Sequence, residues 1–185
     1  MAMRLGILIS GGGSTYANLA RAIADRELPA EIAVVVASRP DAAGCDLARG
    51  FGHPLVIAAD PAAVTAALVA HRVAWVAMCG WLKYWDPPPP FAGRTVNVHP
   101  SLLPVFGGPG LYGDRVHAAV IAARASESGC TVHLVAGGYD SGPIVAQNRV
   151  PVLTDDTVAT LRARVQAAER DLYPRALAGL IAASS

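Results

Sequence analysis

The chain has 185 residues, enough for one full domain with its own core. Apolar residues make up 53% and charged residues only 16%, with a formal net charge of +1, so nothing in bulk drives the chain toward nucleic acid or an anionic membrane. The thin charge leaves room for a covered face, as in a homodimer.

Residues 4–9 are apolar without helical spacing and predict a buried first strand. Ser10-Gly11-Gly12-Gly13-Ser14-Thr15 follows, and then a helix from Tyr16 to Arg26. A strand, a glycine-rich turn and a helix start let the backbone come close to an anion and point free N–H groups at it. Gly11, Gly12, Gly13 and Ser14 are therefore candidates for phosphate binding. The plain alternative is a tight turn with an ordinary Ser/Thr cap, since neither G-x-G-x-x-G nor the P-loop pattern is present. Glu31 to Ala37 predicts a second buried strand, Asp41 to Phe51 a helix and Pro54 to Ile57 a short strand. Pro61 to His71 predicts an Ala-rich helix with proline at its tolerant first position, and Val73 to Cys79 a third long strand. Strands alternating with helices predict an α/β domain with a mostly parallel sheet, covered by helices on both faces. Pro87 to Pro90 reads as a stiff extended connection within one domain over residues 1–185.

The stretch from Thr95 to Pro104 reads T-V-N-V-H-P-S-L-L-P. Asn97 and His99 are two apart, so an extended backbone points them to one side. Pro100 keeps His99 extended and stops regular pairing, which places the imidazole at a strand end, where α/β sheets keep their ligands. Taken alone, Asn-x-His is as well read as a strand that ends in His-Pro. Residues 105–113 carry four glycines and form a loop. Asp114 to Arg124 predicts a helix with Asp114 as its N-cap. Gly129 to Val135 alternates as a strand, and on spacing alone its His133 is a satisfied, half-buried histidine. The Gly137 to Pro143 cluster is a turn, and Ile144 to Val150 then pairs back antiparallel. Thr157 to Ala183 predicts a long helix kinked or divided at Pro174.

Cys45, Cys79 and Cys130 show no CxxC or Cys/His ligand spacing and read as reduced, buried thiols of a cytoplasmic protein without a metal. The first apolar run is too short for a secretory signal, and the ten-residue run from Val73 to Leu82 is too short to cross a bilayer.

Asn97-x-His99-Pro-Ser-Leu-Leu-Pro104, then Gly129-Cys-Thr-Val-His133, Asp140-Ser-Gly-Pro143, Gln147 and Glu169-x-x-x-Tyr173-Pro174 together resemble the folate-dependent formyltransferases. The resemblance covers nearly the whole chain. It implies a Rossmann-like sheet and transfer of a formyl group from 10-formyltetrahydrofolate to an amine, with glycinamide ribonucleotide as the nearest acceptor. Asn97, His99 and Asp140 fall on the family's catalytic trio. Hydrogen bonds from Asn97 and a protonated His99 suit a developing oxyanion, and Asp140 suits proton movement through His99 or a water. The resemblance places the acceptor's phosphate on Gly11 to Ser14, Gln166 and Glu169 near its ribose, and Pro100 beside its amine. It places the folate against Trp81, Leu82, Lys83, Tyr84 and Val98 and the loop containing Ala136, Tyr139 and Asp140.

Two stretches depart from the family pattern. Thr15-Tyr16-Ala17 stand before Asn18-Leu19, and Gly107 to Gly113 replaces a shorter Pro-Gly loop, with His117 beyond it. Both concern the acceptor side and leave open another small amine, such as a sugar-nucleotide amine. A non-catalytic folate- or nucleotide-binding module is a third reading, against which the retained trio argues. The relative that acts on methionyl-tRNA normally carries a C-terminal RNA-binding domain and a basic surface. The relative that hydrolyses formyl-folate carries an extra N-terminal domain, whereas here the first strand begins at residue 4. Neither pattern is expected of this chain.

Overall fold

In the computed structural model, which describes residues 2–184, the first strand β1 (Met3–Ile9) lies inside the sheet. Leu5, Ile7 and Ile9 enter the core on one face and Leu8 the core on the other, so the unbroken apolar run reflects burial from both sides. The chain continues as α1 (Ser14–Ala24), β2 (Ala30–Ala37), α2 (Gly44–Phe51), β3 (Leu55–Ile57), α3 (Pro61–Ala70), β4 (Trp75–Met78) and β5 (Thr95–His99). It ends as α4 (Asp114–Ala122), β6 (Glu127–Leu134), β7 (Ile144–Pro151) and α5 (Val158–Ala183). The predicted elements are all present, with ends displaced by a few residues.

The sheet order is β3-β2-β1-β4-β5-β6-β7. The strands from β3 to β5 run parallel, and β6 and β7 are antiparallel to their neighbours. Chain order reverses between β1 and β4, and the crevice beyond the carboxyl ends of these strands is where open α/β sheets bind ligands. One face is covered by α1, α2, α4 and α5. The other is covered by α3 together with Trp81, Trp85 and Phe91 of the connection that includes the four prolines.

Two local expectations change. Gly113, at φ 54° and ψ −135°, occupies the cap position of α4. Asp114 is instead the first helical residue, and its carboxylate pairs with Arg162 of α5 at 2.8 Å. Pro174 does not divide α5, which runs through it. The proline has no N–H for the carbonyl of Arg170, and Asn18 Nδ2 of α1 donates to that carbonyl at 2.9 Å. The neighbouring Tyr173 is fully buried, and its hydroxyl lies 3.1 Å from each of the carbonyl oxygens of Met78 and Val96, tying α5 to β4 and β5.

Candidate active site

A cavity of about 410 Å³ opens at the carboxyl ends of β4 and β5, within the usual range for small-molecule sites. Asn97, His99 and Asp140 all line it, as do Pro100, Gln166 and Glu169 on one side and Leu82, Lys83, Tyr84, Val98 and Tyr139 on the other. Ala136 does not; its carbonyl accepts a hydrogen bond from Ser141 and shapes the turn that carries Asp140. Gly11, Gly12, Gly13 and Ser14 are also absent from the wall, whereas Thr15, the next residue, is on it. The loop they form leads into α1, whose N-terminus has no side-chain cap and so keeps its first N–H groups free. Gly13 sits at φ 75°, and a Cβ there would lie 2.8 Å from Gly44 Cα, so this loop needs glycine for both conformation and space.

His99 is 4% exposed and held between two acceptors. Its Nε2 is 2.8 Å from the carbonyl of Phe106, and its Nδ1 is 3.4 Å from Asp140 Oδ2. The carbonyl only accepts, so Nε2 carries a proton, and Nδ1 is the nitrogen left for exchange with Asp140. Burial lowers the His99 pKa below its ordinary value, although the Asp140 charge and the Phe106 carbonyl push the other way. Asp140 itself stands at φ 54°. Burial raises its carboxyl, but His133, His99 and the Gly108 N–H together hold it below the usual value. The Gly108 N–H donates to Asp140 Oδ2 at 3.0 Å. The turn from Phe106 to Gly108 is thus bound to both members of the pair. Donation from His99 Nε2 to a substrate oxygen requires the Phe106 carbonyl to move aside.

His133 is more than a packed histidine. It lies directly opposite Asn97 in the β5–β6 pairing, is 2% exposed, and lines the cavity. Its Nδ1–H donates to the Leu134 carbonyl at 2.9 Å, which leaves Nε2 facing Asn97 Nδ2 at 3.2 Å and Asp140 Oδ1 at 3.6 Å. Without a proton, Nε2 accepts from the Asn97 amide and so turns that amide's second N–H toward the cavity; with one, it faces Asp140 Oδ1 as a donor, the form that lowers that carboxyl. Spacing within β6 does not reveal this; the cross-strand register does.

At the acceptor end, Thr15 Oγ1 donates to Glu169 Oε1 at 2.5 Å. Burial raises the Glu169 carboxyl, and the threonine only partly offsets this. Arg162, Gln166 and Glu169 occupy positions i, i+4 and i+7 of α5 and line the cavity with Thr15 and His117. The loop from Gly108 to Gly113 closes this region. At the opposite end Leu82, Tyr84 and Tyr139 are half-exposed at the rim, with the two tyrosine rings edge to face at 5.6 Å. Ser10 anchors this wall from below: its hydroxyl accepts from the Leu82 N–H and from the Ser38 hydroxyl, each at 2.9 Å. The cysteines are all free and buried, and burial pushes the Cys130 thiol up to about 12.

The family model described as formyl transferase matches residues 3–177. A chloroplastic phosphoribosylglycinamide formyltransferase of Vigna unguiculata is 37% identical over 181 residues, which is 92% of this chain and 58% of that protein. The phosphoribosylglycinamide formyltransferase of Mycobacterium tuberculosis (strain CDC 1551 / Oshkosh) is 39% identical over 191 residues, covering 96% of this chain and 84% of that one. The crystal structure of phosphoribosylglycinamide formyltransferase from Brucella melitensis superposes with a TM-score of 0.87 at 38% identity, over 97% of this chain and 95% of that one. The chain therefore spans somewhat over half the length of the plant relative and most of the length of the bacterial ones.

Proposed function

This chain belongs to the formyl transferase family, and on that premise we propose that it transfers a formyl group from 10-formyltetrahydrofolate to the amine of glycinamide ribonucleotide, a step of purine nucleotide biosynthesis. The observation that carries the reading is the convergence of Asn97, His99 and Asp140 on one cavity, with Asp140 brought from a turn 41 residues beyond His99 to 3.4 Å from its ring. The relatives' names support the choice of acceptor.

The donor supplies the formyl carbon, and the chain's residues manage charge and protons. The acceptor nitrogen adds to that carbon, and the bond to N10 then breaks as the carbonyl re-forms. The free N–H of Asn97 faces the formyl oxygen as negative charge develops there. The acceptor nitrogen loses one proton and N10 gains one. Asp140 and His99 Nδ1, a coupled pair at the cavity wall, carry that proton directly or through one water. Leu82, Val98, Tyr84 and Tyr139 suit the flat, apolar parts of the folate, and the buried Trp81 lines the same cavity. Lys83, at the exposed rim, suits an anionic tail as a simple cation. Gly11 to Ser14 and the uncapped start of α1 suit the acceptor phosphate.

The direct test supplies 10-formyltetrahydrofolate and glycinamide ribonucleotide and follows release of tetrahydrofolate. Turnover is expected in the wild type, and His99→Ala should lower kcat by about 10²- to 10⁴-fold while leaving donor binding nearly unchanged. A wild-type enzyme as silent as the variant would sink the assignment. The glycine loop from Gly108 to Gly113 on the acceptor side favours one alternative, a different small amine such as a sugar-nucleotide amine. Turnover with such an amine and none with glycinamide ribonucleotide would select it.

A further inference from the structure

Three buried side-chain polar atoms have no hydrogen-bond partner among the described residues: Trp81 Nε1, His117 Nδ1 and Ser128 Oγ. Trp81 and His117 both lie on the cavity wall. A buried nitrogen without a partner bears a desolvation cost that no protein group offsets, so a side chain that carries one and also lines a ligand cavity is a place where a bound ligand can supply the partner.

His117 projects from α4 at 2% exposure. Its charged and titratable neighbours are Asp114 on its own helix, Arg162 from α5 and His99 from β5. Arg162, Asp114 and Thr15 at this end are already engaged. Arg162 Nη1 donates to both oxygens of Asp114 at 2.8 and 3.0 Å, and Thr15 donates to Glu169. Burial lowers the pKa of His117, so near neutral pH its ring is uncharged. A neutral imidazole offers one N–H and one lone pair. A hydroxyl, which donates and accepts, can meet either of these, whereas a phosphate or a carboxylate, which only accepts, can meet the N–H alone. The nearby Gln166 and Glu169 add an amide and an acceptor, a set suited to a polyhydroxylated sugar rather than to a second anion.

We propose that His117 is a specificity-determining residue of the acceptor site and hydrogen-bonds a sugar hydroxyl of the acceptor. This rests on the reading that the acceptor is a ribonucleotide amine. The test compares kcat/KM for glycinamide ribonucleotide and for its 2′-deoxy and 3′-deoxy counterparts in the wild type, His117→Phe and His117→Asn. In the wild type one deoxy acceptor should be poorer by about 5- to 10-fold, mostly through KM. In His117→Phe that penalty should shrink to about twofold or less, with KM for the formyl donor unchanged. His117→Asn keeps a hydrogen-bonding amide in a smaller side chain; it should show an intermediate penalty and serves where phenylalanine is not accommodated. Equal penalties in the wild type and the variants would overturn the proposal. If the wild type does not turn over glycinamide ribonucleotide, titration with ribose 5-phosphate and its 2-deoxy and 3-deoxy forms separates the two failures. A hydroxyl preference that is lost in His117→Phe would uphold His117 while the formyl acceptor is revised. A preference unchanged by the substitution, or none at all, would refute it.

Discussion

Among single side chains, the pair formed by Asn97 and His133 decides how the site presents its neutral donor. An amide free to rotate offers its oxygen to the cavity as readily as its nitrogen. When unprotonated, His133 Nε2, at 3.2 Å, accepts one N–H and leaves the other for the formyl oxygen. Its own Nδ1 is fixed on the Leu134 carbonyl. Asn97→Ala should lower kcat by about 10²- to 10³-fold, as loss of a donor to a developing oxyanion does elsewhere. His133→Ala should cost less, and the double variant should cost little more than Asn97→Ala alone, because both act through one hydrogen bond. Strictly additive losses in a double-mutant cycle on kcat would remove His133 from this role. Asn97 and His99 were legible in the sequence because two residues of one strand share a face without any knowledge of the fold. His133 was not, because its meaning depends on which residue of another strand stands opposite.

At the level of elements, the antiparallel β6 and β7 brace the turn after His99. Thr131 Oγ1 of β6 donates to the Ser101 carbonyl at 2.7 Å and accepts from the Leu103 N–H at 3.0 Å. Gln147 Nε2 of β7 lies 3.0 Å from both the Leu103 carbonyl and Thr131 Oγ1. The helix α5 plays the corresponding part for the acceptor end, and its seat is Tyr173. Tyr173→Phe leaves the ring packed but removes the hydroxyl from two buried carbonyls. It should destabilise the fold by about 1 kcal/mol in denaturant melts. It should also raise KM for the acceptor more than for the formyl donor, because Gln166 and Glu169 ride on the same helix. Unchanged stability would mean that the hydroxyl does not hold α5 in place. The helix and its proline were evident from the apolar spacing. Its passage through Pro174 was not, since the carbonyl freed at Arg170 is met by Asn18, 152 residues away.

Across the whole molecule, buried histidines set an acid limit on stability. Burial lowers His53, His99 and His117 below the ordinary imidazole value. The unfolded chain therefore takes up protons at these sites before the folded one does. The stability they contribute is fully present above about pH 6.5 and is lost as the pH falls from there through the lowered folded values. Glu169, raised by burial, works in the opposite sense and regains stability as the pH falls through its folded value toward the unfolded one. The histidines begin to act at their unfolded value near pH 6.5, so Tm is expected to fall as the pH is lowered from about 7.5 to about 5. His53→Asn and His117→Phe should each flatten the curve, and a Tm independent of pH over that interval would contradict the assignment. By itself the sequence determined the α/β class, the central strands and the Asn97/His99 face. Two-sided burial forces continuous apolar runs, and strand geometry forces alternate residues to one side, so both are written in local order. Only the tertiary structure decided that Asp140 reaches His99, that His133 orients Asn97, that Phe106 occupies His99 Nε2, and that Thr15 rather than the glycines before it lines the cavity. Each of these depends on distances between segments that the chain order keeps apart, and those distances exist only once the strands are paired and the helices are packed.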